Sequence, residues 1–232
     1  MPTYVYCLVN ASRELPADVP RGLDGAPVRA VPAASLVAWA SDVADARPAA
    51  TVERVRAHDA VVRCALDAET PLPARFGQTF ADDAMVVARV RARETALHGA
   101  LERVRGKVEM TVRVRPTLDV RDASPVVREG GSSGRAYLAR LRERHRAEQM
   151  WRDAADIIQR RVSEAAGALV HAEAMATIAK PERWLSISHL IMRDDVMTYR
   201  AALDALAASD PTLGLAVSGP WAPYSFAEVA RV

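Results

Sequence analysis

Residues 107–114, KVEMTVRV, constrain half of this chain. Val108, Met110, Val112 and Val114 alternate without a break with Glu109, Thr111 and Arg113. That period of two marks a strand with one face on a core. The remainder of the chain narrows the topology. Residues 116–134 carry turn residues, EGGSSG and no periodicity, so a loop is expected. Ser132 or Ser133 then caps a helical pattern reaching about Gly167, roughly 50 Å long at 1.5 Å per residue. Its charged first turns, RLRERHRAEQ, outrun any small sheet and should project into water or onto a partner. Val170, Ala172, Ala174, Ala176 and Ile178 share one face of the next strand, and Leu185, Ile187, His189 and Ile191 one face of its neighbour. Lys180-Pro181-Glu182 makes the turn between them. A helix from Asp194 to Ser209, capped by Asp194 or Asp195, carries the stripe Val196, Tyr199, Leu203, Leu206. Asp210-Pro211 breaks it, and Leu213, Leu215 and Val217 form the last strand. Strand, helix, strand, strand, helix, strand is the ferredoxin-like split βαβ order.

The first half has similar parts in a less regular order. TYVYCLV (3–9) is apolar on both faces and reads as a central strand. Residues 28–41 read as a hairpin turning at Pro32-Ala33-Ala34. Thr51 caps a helix to Glu69 with Val52, Val55, Val62 and Leu66 as its stripe. TPLPARFG is extended, because its prolines exclude a helix interior. Asp82 or Asp83 caps one further helix, with Val86, Val90, Leu97, Leu101 and Val104 inward and Gly106 as its stop. The expected architecture is α+β in two units, residues 1–106 and 107–232, the second ferredoxin-like with a long helix and an aromatic, Pro-rich C-terminal segment, GPWAPYSF.

Composition excludes more than it selects. Thirty-one Lys and Arg balance 29 Asp and Glu, a net +2, which gives no pull toward nucleic acid or an anionic membrane. No apolar run approaches the ~20 residues of a membrane span, and no signal peptide is seen. Cys7 and Cys64 stand alone and are expected as buried free thiols in a cytoplasmic protein.

Four stretches in order, PLPARFG after a helix bearing AHDAVV, then KVEMTVRV, GSSGRAYLARL and GPWAPYSF, resemble the gas-vesicle protein F/L family over nearly the whole chain. The resemblance implies a cytoplasmic, gas-vesicle-associated protein of two ferredoxin-like domains. It would be an accessory factor in vesicle formation, not an enzyme. Its partners would be the small hydrophobic shell protein and other gas-vesicle accessory proteins.

Candidate contact residues are aromatic, since aromatics dominate interface energetics. Trp39, Phe76 and Phe80 are proposed anchors, and Arg75 could grip an acidic group. Trp221, Tyr224 and Phe226 read either as a plug over an apolar edge, the favoured reading, or as an exposed platform. Catalytic readings are weaker. His58 and Asp59 are neighbours on a helix and point about 100° apart, so a structural bond from His58 to the loop at Arg75–Gly77 is expected. His189 reads as a core histidine with a satisfied nitrogen; facing a cavity, it would favour the alternative of a small-molecule enzyme. No metal site or cofactor is expected, because His98, His145 and His171 lack ligand spacing and no phosphate-binding glycine motif is present. An RNA-binding module ranks last, since KVEMTVRV offers no aromatic for base stacking.

Overall fold

The computed structural model describes residues 1–12, 14–115, 134–178 and 184–227. The expected loop at 116–134, its Ser132 or Ser133 cap and the turn at 180–182 lie outside these residues, apart from Gly134. The chain is α+β with two antiparallel sheets. The first is built from β1 (Thr3–Asn10), β2 (Arg29–Ala33) and β3 (Leu36–Asp42). After α1 (Val52–Ala68) come the short β4 (Leu72–Pro73) and β5 (Thr79–Phe80). The strand order is β2-β3-β1-β4, with β5 also paired to β1. Apolar residues on both faces make β1 central, as its sequence dictates. α2 (Asp83–Arg91) and α3 (Glu94–Val104) lead into β6 (Lys107–Val114). The second sheet continues through α4 (Gly134–Ala166), β7 (Val170–Ile178), β8 (Trp184–Met192), α5 (Val196–Ser209) and β9 (Leu215–Trp221), in the order β7-β8-β6-β9. Numbered within each half, both orders are 2-3-1-4.

Several local expectations shift. The hairpin turns at Ala34-Ser35, one step later than expected, so Pro32 lies inside β2. An edge strand tolerates that proline because its outer side has no ladder to complete. Thr51 caps α1 by accepting from the Arg54 N–H at 3.3 Å, but the buried stripe starts a turn late. Val52 and Val55 are 61% and 42% exposed, while His58, Val61, Val62, Ala65 and Leu66 are buried. The single helix expected after Asp82 is two. Ala92 N–H bonds back to Ala88, Arg93 leaves the helical region, and Glu94 restarts the helix while accepting from the Ser35 N–H and hydroxyl. That bond holds the break against the β2–β3 turn. The stripe Val86, Val90, Leu97, Leu101, Val104 stays buried across it. Asp195, at the start of α5, makes no side-chain cap, because a 3-10 turn over Arg193–Asp195 precedes the helix.

The largest correction is in β7. Its register against β8 slips between Val170 and Ala172, leaving His171 as an extra residue. A bulge of one residue reverses the faces beyond it. Val170 therefore joins the core under the helices, whereas Ala172 packs into the cluster on the opposite side. Glu173, expected to point outward, pairs with His189 on the helix side.

Two apolar clusters tie the halves together. One holds Tyr4, Tyr6, Val62 and Leu66 with Val108, Met110, Ile187, Val162 and Tyr199. The other holds Val5, Leu8, Val90, Leu97 and Leu101 with Leu190, Ala172, Phe226 and Ala227. Polar links add to them: Thr70 Oγ1 donates to the Lys107 carbonyl at 2.9 Å, and Arg193 donates to the Leu66 carbonyl.

Candidate functional site

The residues with the most chemistry meet where α1, β1 and the C-terminal segment converge. The period of α1 turns His58 inward, 3% exposed, beside Val61 and Val62. β1 aims Tyr4 and Tyr6 at the same place, and the stretch Ala74–Gly77, expected to be extended but turning at Phe76-Gly77 where Gly77 takes φ +90°, adds Phe76. Tyr4, Tyr6, Phe76 and Tyr224 all lie within ring-contact distance of His58, with centroids 5.6–6.4 Å away. Tyr4 hydroxyl lies 2.9 Å from His58 Nδ1, and Tyr224 hydroxyl 3.2 Å from Nε2. Gly77 N–H donates to Tyr4 hydroxyl at 3.2 Å, which leaves the Tyr4 proton free for Nδ1; in the tautomer that matches, Nε2–H serves Tyr224. Burial drives the His58 pKa down to about 4 against the weaker pull of the Ala74 carbonyl and Asp59, so the ring is neutral at pH 7. Burial pushes both tyrosines far up. Neutral partners with every ring nitrogen engaged make a joint rather than an acid–base pair. Asp59 points away and pairs with Arg63 at 3.1 Å.

The C-terminal segment crosses from the second sheet to this cluster. β9 does not leave its sheet at Gly219-Pro220, as the Gly-Pro step suggests. Pairing continues to Trp221 opposite Glu109, with a register shift at the Gly-Pro step. Gly219 has φ +118°, and a Cβ there would meet the Glu109 carbonyl at 2.8 Å, so only glycine fits this bulge. Beyond it, the Arg63 guanidinium sits over Trp221, 4.9 Å from the ring centroid. Ser225 N–H and hydroxyl both donate to the buried Glu109 carboxylate, at 2.8 and 2.7 Å. The face of β6 that carries Glu109 is thus covered at this end by the chain itself.

A second polar cluster lies under α4 and α5. His189, 0% exposed, is 2.8 Å from Glu173 through Nε2 and 2.8 Å from Tyr199 hydroxyl through Nδ1. Ser163 and Gln159 also donate to Glu173. Burial alone would raise this carboxyl; the bonds from Ser163, Gln159 and His189 outweigh it and hold it below the usual range. Burial lowers His189 despite Glu173. His189 is packed and bonded, not set on a cavity.

The residues singled out as contacts do not form one patch. Trp39 is 1% exposed and packs in the core, so its ring offers no surface. Arg75 is exposed, whereas Phe76 is half-buried on Tyr4 and His58. Phe80 is half-buried in β5, paired with Thr3, on the other cluster. Trp221, Tyr224 and Phe226 are half-buried, packed on Arg63, on His58 and on the second apolar cluster respectively. Glu109, Glu173 and Tyr4 escaped sequence reasoning. Glu109 sits at an outward position of its strand, and Glu173 faces inward only because of the bulge at His171. The YVY of β1 is the signal that could have found Tyr4.

An α+β chain whose aromatic and ionisable groups at this site knit its own sheets together is built as a framework. The chain belongs to the gas vesicle synthesis protein GvpL/GvpF family, whose model matches residues 2–228. It is similar to gas vesicle protein F of a Streptomyces species, 31% identical over 98% of this chain and 100% of that one. It is also 28% identical to gas vesicle protein L of the same species, over 98% and 93% of the two chains. The crystal structure of the gas vesicle protein GvpF from an Anabaena species superposes with a TM-score of 0.78 at 17% identity, covering 98% of this chain and 96% of that one. At that identity the match shows a shared fold. Among the described residues, no helix is long and apolar enough to cross a membrane, and no group of three His, Cys, Asp or Glu could hold a metal ion.

Proposed function

We propose that the chain is a non-enzymatic accessory protein of gas-vesicle formation that binds the small hydrophobic shell protein during assembly or nucleation, in the cytoplasm. It consists of two ferredoxin-like domains, residues 1–106 and 107–232, the first lacking the helix after its opening strand. The common 2-3-1-4 strand order supports that division. The observation that carries the function is the family match over nearly the whole length. The chemistry of the site agrees with it: His58 and His189 are neutral, buried and bonded on both nitrogens, so they hold the fold and are not poised for substrate. A soluble chain can shield an apolar partner by offering a sheet edge or a helix surface. Exposed Arg75 beside Phe76 remains a contact in this reading; Trp39 does not. The experiment is co-expression with a gas-vesicle shell protein and affinity capture of this chain. The shell protein is expected to be retained at low and moderate salt. Its absence from the captured material at both would falsify the reading.

A further inference from the structure

α4 is longer than its sheet. Its 33 residues span about 50 Å, while the nine residues of β7 or β8 span about 30 Å. The chain enters α4 beyond the end of β6 and leaves it into β7 at the opposite end of the sheet, so the excess lies at the N-terminal end of α4. Burial agrees. Among the described side chains of α4, Trp151 is the first that is buried, followed by Ala155, Ile158, Val162 and Ala166. Before it, Tyr137, Leu138 and Met150 are 62%, 50% and 50% exposed.

The overhang continues the buried stripe. Tyr137, Leu141, Arg144 and Glu148 precede Trp151, Ala155, Ile158 and Val162 at alternating steps of four and three. That is the seam by which one helix packs on another. In the second half of α4 the seam meets this chain's own sheet and α5; in the first half it runs past them. Leu138 and Arg140 flank it. Over residues 137–150, four arginines stand against two glutamates, a formal +2. Arg140, Arg142, Arg144 and Arg146 are all exposed.

We infer that this overhang is the docking surface for an amphipathic helix of a partner protein, one with carboxylates flanking its apolar stripe. Tyr137, Leu138 and Leu141 take the apolar stripe, and Arg140 and Arg144 take the carboxylates. The charge decides the occupant. Two overhangs from two copies would bring like charge together. A lipid surface needs an unbroken apolar face, and this one gives way to Arg144 and Glu148 after a single turn. The inference rests on the accessory-protein reading only in naming the shell protein as the first partner to test.

The test uses the full chain, wild type and two double variants, Tyr137→Asp/Leu141→Asp and Arg140→Glu/Arg144→Glu, each checked for an unchanged melting temperature. The probe is a synthetic helical peptide with a leucine stripe flanked by glutamates, and a control with lysines in place of the glutamates. The wild type is expected to bind the glutamate peptide at least about tenfold more tightly than either variant does, and more tightly than it binds the lysine peptide. Equal binding by wild type and variants overturns the inference. So does a dimer in sedimentation that the variants abolish, or binding to phosphatidylglycerol vesicles without binding to the peptide. Capture of the co-expressed shell protein separates the two readings. Equal capture by wild type and variants leaves the function standing and removes the shell protein as the occupant of this surface, which the peptide then decides. Peptide binding without shell-protein capture leaves the surface standing and removes the function.

Discussion

His58 shows how one buried residue makes the stability of the chain depend on pH. Its folded pKa of about 4 lies below the ordinary 6.5. Below pH 6.5 the unfolded chain takes up a proton that the folded chain refuses, so stability falls as pH drops from 6.5 toward 4 and levels off beneath it. At 1.36 kcal/mol per unit, the loss is about 3 kcal/mol. Urea denaturation at pH 7.5 and pH 4.5 should show it, and a His58→Gln variant should show a correspondingly smaller difference between the two. An unchanged pH dependence in the variant would mean that the ring is not held neutral. His189, also lowered, adds a loss of the same sign. Glu173, held below its usual value, gives up its contribution only as pH falls through and below 4.5.

At the scale of the element, the bulge in β7 decides what the second sheet can hold. Were His171 paired as a regular strand residue, the alternation of Val170, Ala172, Ala174, Ala176 and Ile178 would be continuous, and Glu173 would face away from His189. A Glu173→Ala variant should therefore destabilise the protein. His189, Ser163 and Gln159 would lose their common acceptor, and unsatisfied buried groups cost about 1–3 kcal/mol each. A lowered denaturation midpoint is the expected result; a midpoint at or above wild type would show that the carboxylate does not organise this core. The alternation in β6, by contrast, survives intact, because no extra residue interrupts the buried run from Val108 to Val114.

For the molecule as a whole, the question is whether two sheets with the same strand order unfold separately. Residues from both lie in each apolar cluster, and Tyr224–His58, Thr70–Lys107, Arg193–Leu66 and Trp221–Arg63 cross between the halves. Contacts of that number couple the halves, so a single calorimetric transition is expected, with calorimetric and van't Hoff enthalpies in agreement. Two resolved peaks would mean that the C-terminal segment rests on α1 without joining it.

The order of strands and helices in the second half, the central place of β1, the β6 alternation and the length of α4 all come from local pattern, because period and turn chemistry act over a few residues. The family was legible as a resemblance, carried by four motifs in order rather than by period. Tertiary structure alone decided the rest. Which face Glu173 takes depends on a one-residue slip against β8, and the meeting of His58 with Tyr224, 166 residues apart, depends on how two sheets close on each other. Trp39 looks like a contact anchor by residue type and is core by position. Burial belongs to the packed chain, and no short stretch of sequence contains it.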